Sequence, residues 1–400
     1  LTRTDVDTIY VCTDSGREGE YIYRLVEQQA GVKGKNRRRV WIDSQTEEEI
    51  LRGIKEAKDL KEYDNLAASA YLRAKEDYLM GINFSRLLTL KYGNSISNYL
   101  NTKYSVVSVG RVMTCVLGMV VRREREIREF VETPFYRVLS TIGEKGATFE
   151  GEWRAVKGSK WFESFDLYKE NGFKEKEKAE ELIRFLSNSE SDASQPLTCQ
   201  IVSIEKKKEK KNPPLLFNLA EIQNECSRRF KISPDETLKI IQELYEKKLV
   251  TYPRTDARVL STAVAKEIYK NIGGLRNFGT LADFAAKALD SGTWKQIART
   301  KYVNDKQITD HYAIIPTGQG FGALRSLNPL AAKVYELIGR RFLSIFYPPA
   351  VYQKFSLRIE KQGEQFFAAY KVLAEAGYLE VANVPSKKKM ENSGNSRGEN

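Results

Sequence analysis

The strongest constraint on this chain is a hydrophobic period that changes twice. Residues 134–212 alternate apolar and polar side chains, as in "PFYRVLSTIG" and "PLTCQIVSI", which is the period of antiparallel strands. The alternation returns at 340–372 in "VYQKFSLRI" and "QFFAAYKVL". Between them the period becomes helical, and 217–248 reads as two helices. The two β stretches resemble each other, so the helical stretch reads as an insertion into a β domain. Its second helix, "SPDETLKIIQELYEKKL", has Ser233 as N-cap, Pro234 at the first helical position and Glu236 completing a capping box. Leu238, Ile241 and Tyr245 form the expected core face, with Gln242 and Glu246 sharing another face. Helix, helix and strand with basic residues also outline a winged helix, so a plain DNA-binding module is a live alternative.

Residues 7–60 read as α/β. A strand from Ile9 to Thr13 feeds an acidic loop, and "EYIYRLVEQQAG" forms a helix stopped by a glycine. "RRRVWID" is a second strand, and "TEEEILRGIKEA" a helix with Thr46 as N-cap and Glu49 completing its box. Residues 62–91 and 112–130 are mostly helical, and a charged helix near 174–187 interrupts the β pattern. The lysine run "EKKKEKK" (205–211), just before Pro213, marks a boundary as a solvated strand end or linker. The expected chain is multidomain, α/β and α+β, in six parts: 1–60, 61–131, 132–212, 213–325, 326–378 and a disordered tail from 379 to 400.

A formal charge of +12 points to a polyanionic partner, most simply nucleic acid. The longest apolar run, "VMTCVLGMVV" (112–121), is too short to span a membrane, and no secretory signal opens the chain. Cys12, Cys115, Cys199 and Cys226 form no C-x-x-C pair, which argues against a zinc ribbon or disulfide framework and fits a reducing cytoplasm. The chain opens almost directly on a strand and ends in "SKKKMENSGNSRGEN", so it reads as incomplete, with a polar tail.

Four stretches carry chemistry. In "CTDSGREGE", Asp14, Glu18 and Glu20 crowd the turn from a strand into a helix, a good place to hold Mg²⁺ through oxygen ligands. Any one of these acids is also explained by the helix macrodipole. In "SVGRVMT" (108–114), a glycine and Arg111 at a helix entry suit a phosphate. In "TDHYAIIPT" (309–317), His311 is the chain's single histidine, with polar Asp310 and Thr317 nearby and a buried strand after it; lone histidines are often structural. In "LVTYPRTD" (249–256), Tyr252 and Arg254 sit at i and i+2 of an expected strand and so face one pocket, and Pro253 confines that strand to an edge or end. A free phenol is only about 0.1% ionised at neutral pH. As a nucleophile it needs a cation or a base. Arg254 supplies the charge, and Glu246, a lysine or His311 could assist.

"TDSGREGE", "YLRAKEDYLMGINFSRLLT", "SVGRVMT", "PPLLFNLAEIQNE", "LYEKKLVTYPRTD" and "DHYAIIPT" occur in the order found in type IA DNA topoisomerases, a resemblance spanning residues 7–378. The variants look most like the bacterial topoisomerase III branch. The resemblance implies a toroidal architecture: a partial Toprim domain, a helical DNA-binding domain, and a β-rich arch with an inserted, winged-helix-like tyrosine domain. It implies that Tyr252 becomes linked to a DNA 5′-phosphate, with Arg254, His311 and Glu246 around it, and that Asp14, Glu18 and Glu20 hold Mg²⁺. Expected DNA contacts are Asn83, Arg86 and Lys91 around the "GINFSR" loop, then Ser108, Val109, Gly110, Arg111, Val112 and Met113, and Gln242, Thr251 and Asp256. The implied reaction is ATP-independent cleavage and religation of single-stranded DNA, relaxing negative supercoils or decatenating, in a cytoplasmic, nucleoid-associated enzyme. No G-x-x-x-x-G-K-[ST] phosphate loop occurs. Two departures stand out: Gly16 replaces the second aspartate of the usual D-x-D pattern, and Met113 replaces a usual glutamine. The first Toprim strand and the remainder of the helical base domain are also not in this chain, so poor activity of the chain itself is expected. A tyrosine recombinase would need an H-x-x-R before its tyrosine, whereas His311 follows Tyr252.

Overall fold

The first apolar run forms β1 (Thr8–Val11), whose Ile9 and Val11 are buried with Tyr23 of the next helix, α1 (Arg17–Ala30). Gly31 ends α1 in the left-handed conformation, φ 63°, where a side chain would be strained. β2 (Asn36–Arg39) pairs with β1 in parallel, Thr8 opposite Asn36 and Val11 opposite Arg39, completing a β–α–β unit. β2 is shorter than the expected strand, because the chain leaves the sheet after Arg39. α2 (Glu47–Lys55) and β3 (Lys58–Asp59) follow, giving the strand order β1-β2-β3. The structure is a computed structural model that describes residues 1–42, 47–144, 147–187 and 197–382; the expected cap Thr46 lies outside them.

α3 (Asp64–Leu100) is one continuous helix of 37 residues, so the "GINFSR" stretch is helical and not a loop. No proline interrupts it. The chain then folds back along α3 in extended form before entering α4 (Arg111–Arg128). Val107 N–H donates to Thr89 Oγ1 (2.9 Å) and Val109 N–H to Ser85 Oγ (2.8 Å). A Cβ on Gly93 would lie 2.9 Å from the Ser105 carbonyl oxygen. Asp77, Gly81, Ser85, Thr89, Gly93 and Ser97 thus form a stripe of small or polar residues at four-residue spacing. Four helical residues rise about 6 Å, close to the ~6.6 Å spanned by two extended ones. The stripe is therefore a track for the returning segment.

Contacts divide the chain into two compact units, one formed by residues 1–128, 214–347 and 381 onward, the other by 129–213 and 348–380. In the second unit, β4 (Leu139–Glu144), β5 (Ala147–Arg154), β8 (Gln200–Lys211), β9 (Ala350–Lys361) and β10 (Glu364–Glu375) form an antiparallel sheet in the order β4-β5-β10-β9-β8. A ribbon of β6 (Leu167–Lys169) and β7 (Gly172–Phe173) and helix α5 (Lys176–Leu186) pack with it around Trp153, Trp161, Phe173 and Leu182. The lysine run is the exposed outer part of β8, and lysines on an edge strand discourage pairing with other chains.

Within the first unit, α6 (Leu219–Phe230), α7 (Pro234–Glu246), α8 (Thr262–Gly274), α9 (Ala282–Asp290) and α10 (Pro329–Ser344) share one core, including Phe217, Ile222, Ile241, Leu244, Ile268, Tyr335 and Phe342. Ser233 caps α7 as expected, its Oγ accepting from Glu236 N–H at 3.1 Å. The buried face of α7 is Thr237, Ile240, Ile241 and Leu244, displaced from the expected one, so Leu238 is only half-buried and Tyr245 is exposed. α10 belongs to this helical core, so the part expected from 326 begins with a helix and the sheet resumes at Ala350, later than the β pattern expected from 340. Where a disordered tail was expected, α11 (Leu379–Ala382) forms a turn with Val381 buried; residues 383–400 lie outside the described set. No helix among the described residues is long and apolar enough to cross a membrane.

Cys226 is buried between α6 and its neighbours, and burial raises its thiol pKa to about 11, whereas Cys12, Cys115 and Cys199 are exposed. The thiolate is the reactive form. A thiol reagent at mild alkaline pH should therefore label three cysteines of the native chain promptly and the fourth only on unfolding. Equal native rates for all four would contradict this packing.

Candidate active site

The acidic turn is fixed from beneath by one guanidinium. Arg39, fully buried at the end of β2, donates from Nε to Glu20 Oε2 (2.8 Å). Its Nη1 reaches the carbonyl oxygens of Val11 (3.2 Å), Thr13 (2.7 Å) and Val40 (2.9 Å), and its Nη2 that of Asp14 (2.6 Å). Ser15 Oγ accepts from Ile42 N–H at 2.8 Å. Gly19 is required for space, since a Cβ there would lie 2.1 Å from the Asp14 carbonyl oxygen. The turn is thus held through its backbone, leaving the Asp14 and Glu18 side chains exposed.

Glu20 corrects the expected set of metal ligands. Its carboxylate is fully buried, with one oxygen on Arg39 and the other on Arg24 Nε at 2.9 Å. It is the counter-charge of a buried arginine and has no oxygen open to an ion. Glu18 pairs with Arg73 of α3 at 2.7 Å, and Arg111 Nη2 donates to Asp77 at 3.0 Å, one turn further along the same helix. Arg111 is thereby tethered near the acidic turn. Ser108, Val112 and Met113 are exposed beside it, and Val109 and Gly110 are half-buried.

The tyrosine segment is not a strand. Residues 251–258 are irregular, stapled on both sides to the chain around His311. Thr251 N–H donates to the Ile315 carbonyl (3.0 Å), and its hydroxyl donates to Ala313 O (2.9 Å) while accepting from Ile315 N–H (3.0 Å). Thr251 is therefore engaged with backbone and does not face outward to DNA. Past the tyrosine, Thr255 Oγ1 donates to the His311 carbonyl at 2.7 Å. Between these staples the Tyr252 ring packs 4.4 Å from the His311 ring and edge-on to Tyr245 at 5.4 Å. Pro253 is buried, so the proline anchors this segment.

Arg254 lines a groove of about 410 Å³ along α7 with Leu238, Gln242, Glu243 and Glu246, and Tyr252 is not among the residues lining it. The expected pairing of Tyr252 and Arg254 over one pocket is replaced by two adjacent placements, since the irregular backbone does not alternate its side chains. Glu246 accepts from Gln242 Nε2 at 3.1 Å in this groove. A second groove, about 460 Å³, lies between α3 and the returning segment, with Arg86, Leu90 and Tyr104 in its walls. Asn83 and Lys91 lie outside its lining: the Asn83 amide donates to Leu79 O at 2.7 Å, and the Lys91 ammonium sits 5.3 Å from the Tyr92 ring. Asp256 is exposed, and its charge reaches Asp310. Burial raises the Asp310 carboxyl above its ordinary value, with His311 opposing and the charges of Asp14 and Asp256 adding.

A tyrosine beside a histidine, near a braced acidic turn, within a chain whose helical core interrupts a β unit, fits the class implied by the ordered motifs. The sequence profile described as DNA topoisomerase matches residues 61–399, and the chain belongs to that family, its motif order being that of the type IA enzymes. The chain is similar to DNA topoisomerase 3 of Bacillus subtilis (strain 168), 33% identical over 382 residues, which is 95% of this chain and 47% of that protein. DNA topoisomerase 3 of Shouchella clausii is 35% identical over 379 residues, again with 47% of its length covered. The chain thus spans about half the length of the curated relatives it matches. Among solved structures, full-length topoisomerase I from Thermotoga maritima shares the fold with a TM-score of 0.58 and 21% identity, over 93% of this chain and 55% of that one.

Removing one partner of a buried ion pair leaves the other charge stranded, at a cost of about 3–5 kcal/mol. Arg39→Met should lower stability by that order, and adding Glu20→Leu should recover much of the loss. Urea unfolding of the two variants checks this, and an Arg39→Met chain as stable as the parent would show the brace to be dispensable.

Proposed function

We propose that this chain carries the cleavage and religation centre of a type IA DNA topoisomerase, acting without ATP on single-stranded regions of negatively supercoiled or catenated DNA. Tyr252 is the nucleophile, and the observation carrying this reading is its packing against His311 between the two threonine staples. The Tyr252 oxygen loses its proton and bonds to phosphorus, the bond to the 3′-oxygen breaks, and that oxygen leaves as a hydroxyl. The reverse attack by the 3′-hydroxyl restores the phosphodiester and frees the tyrosine. One phosphoester replaces another at each step, so no outside energy source is required. Arg111, Arg254 and His311 offset charge on the equatorial oxygens. The basic chain as a whole, at +12, suits a partner in the nucleoid of the cytoplasm.

The resemblance also implies Mg²⁺. Among the described residues no three acidic, histidine or cysteine groups form a closed metal cage. Mg²⁺ commonly keeps several waters and takes one or two carboxylates plus substrate phosphates, which suits the two exposed carboxylates of the turn. Asp14 and Glu18 would hold it, and when bound it would neutralise phosphate charge near the scissile bond and favour religation.

Tyr252→Phe should abolish covalent adducts with a labelled single-stranded oligonucleotide on a denaturing gel, while leaving binding of that oligonucleotide nearly unchanged. A protein that only binds DNA would release it on denaturation, and an adduct that persists in Tyr252→Phe would overturn the assignment.

A further inference from the structure

Gly16 occupies the position where the resembled motif carries an aspartate, and the backbone does not explain it. At φ −164° and ψ 177° the residue is extended, a conformation open to any side chain. The reason is space. A Cβ at position 16 would lie 2.4 Å from Asp310 Oδ1 and 2.8 Å from Asp310 Oδ2. The notch left by the missing side chain is filled by a carboxylate from the far side of the sequence.

That carboxylate belongs to the residue immediately before His311. Gly16 is also the N-cap of α1 and makes no side-chain capping bond, so Asp310 brings an anion to the helix end where the macrodipole favours one. On its other side, the His311 carbonyl accepts from Thr255, and the His311 ring packs on Tyr252. A continuous line therefore runs from Gly16 through Asp310 and His311 to the tyrosine.

Resting on the function proposed above, we infer that Asp310 is a positioning residue for the reaction. Seated in the Gly16 notch, it sets His311 and Tyr252 in register with Asp14 and Glu18. Gly16 and Asp310 form a reciprocal pair, in which a side chain at 16 excludes the carboxylate and a shorter residue at 310 leaves the notch open. The pairing also gives the departure from D-x-D a physical meaning, since the acid lost from the turn returns from the histidine segment.

The test is a four-member set: parent, Gly16→Asp, Asp310→Gly, and the double exchange. Each is measured for the rate of covalent adduct formation on a single-stranded oligonucleotide, for affinity to that oligonucleotide, and for thermal midpoint. Misplacement by about 1 Å costs up to ~100-fold in rate, so Gly16→Asp should fall by about that factor and Asp310→Gly by about 10-fold. The double exchange should recover to within a few-fold of the parent. A merely structural pair would move midpoint and affinity together with the rate, whereas a positioning pair changes the rate at constant affinity and midpoint. Tolerance of Gly16→Asp alone, or a double exchange no better than the worse single variant, would overturn the inference. A parent that forms adducts without rescue in the exchange sinks this inference alone; a parent that forms none sinks the reading beneath it.

Discussion

The geometry of the acidic turn depends on the burial of Arg39. A guanidinium cannot be deprotonated to escape burial, so its donors must be met by acceptors within the protein. Here they are met by Glu20 and four backbone carbonyls from β1, the turn and the residue after β2. The consequence is a turn whose path is dictated from below. Its two remaining acids are exposed: among the described residues Asp14 makes no side-chain hydrogen bond, and Glu18 is answered by an arginine of α3. Arg24, which shares Glu20, also reaches Asp64 and the Leu60 carbonyl and so ties α1 to the start of α3.

The tyrosine side is held by a different kind of force. Its staples are neutral hydrogen bonds from Thr251 and Thr255, each worth about 1 kcal/mol net, backed by the fully buried Ala313, Ile314 and Ile315. A lone phenol on an irregular segment would sample several rotamers. Contact with Tyr245 on one side and His311 on the other narrows the choice. The exposure of Tyr245, which follows from the buried face of α7, therefore has a use: it gives the Tyr252 ring an aromatic wall.

Much of this could be read from residue order alone, and the failures have physical causes. The β–α–β start, the Ser233 cap of α7 and the β unit on either side of a helical run follow from local chemistry and period. Glu20 reads from the sequence like its neighbouring acids because its partner sits nineteen positions away (39 − 20) on a strand with two other arginines, and nothing in "RRRV" says which one turns inward. The buried face of α7 departs from the one its apolar residues indicate because Thr237 is buried and Tyr245 is not, contrary to their usual preferences. Nothing local in the sequence distinguishes Arg73 and Asp77, whose partners Glu18 and Arg111 lie far along the chain, from other charges on a helix. The small-residue stripe on α3 was visible in the sequence at its four-residue spacing, and it was the one available sign that a segment would lie along that helix.

Because α3 runs unbroken from the arginine that answers Glu18 to the hydroxyls that hold the returning segment, it acts as a keyed shaft. Its rotational phase fixes which way the Arg86 groove points relative to the acids at its other end. Inserting a single residue between Arg73 and Ser85 would turn everything beyond it by about 100° and advance it by about 1.5 Å. Length changes in this helix are therefore tolerable only in whole-turn increments, and divergence along it should be confined to substitutions.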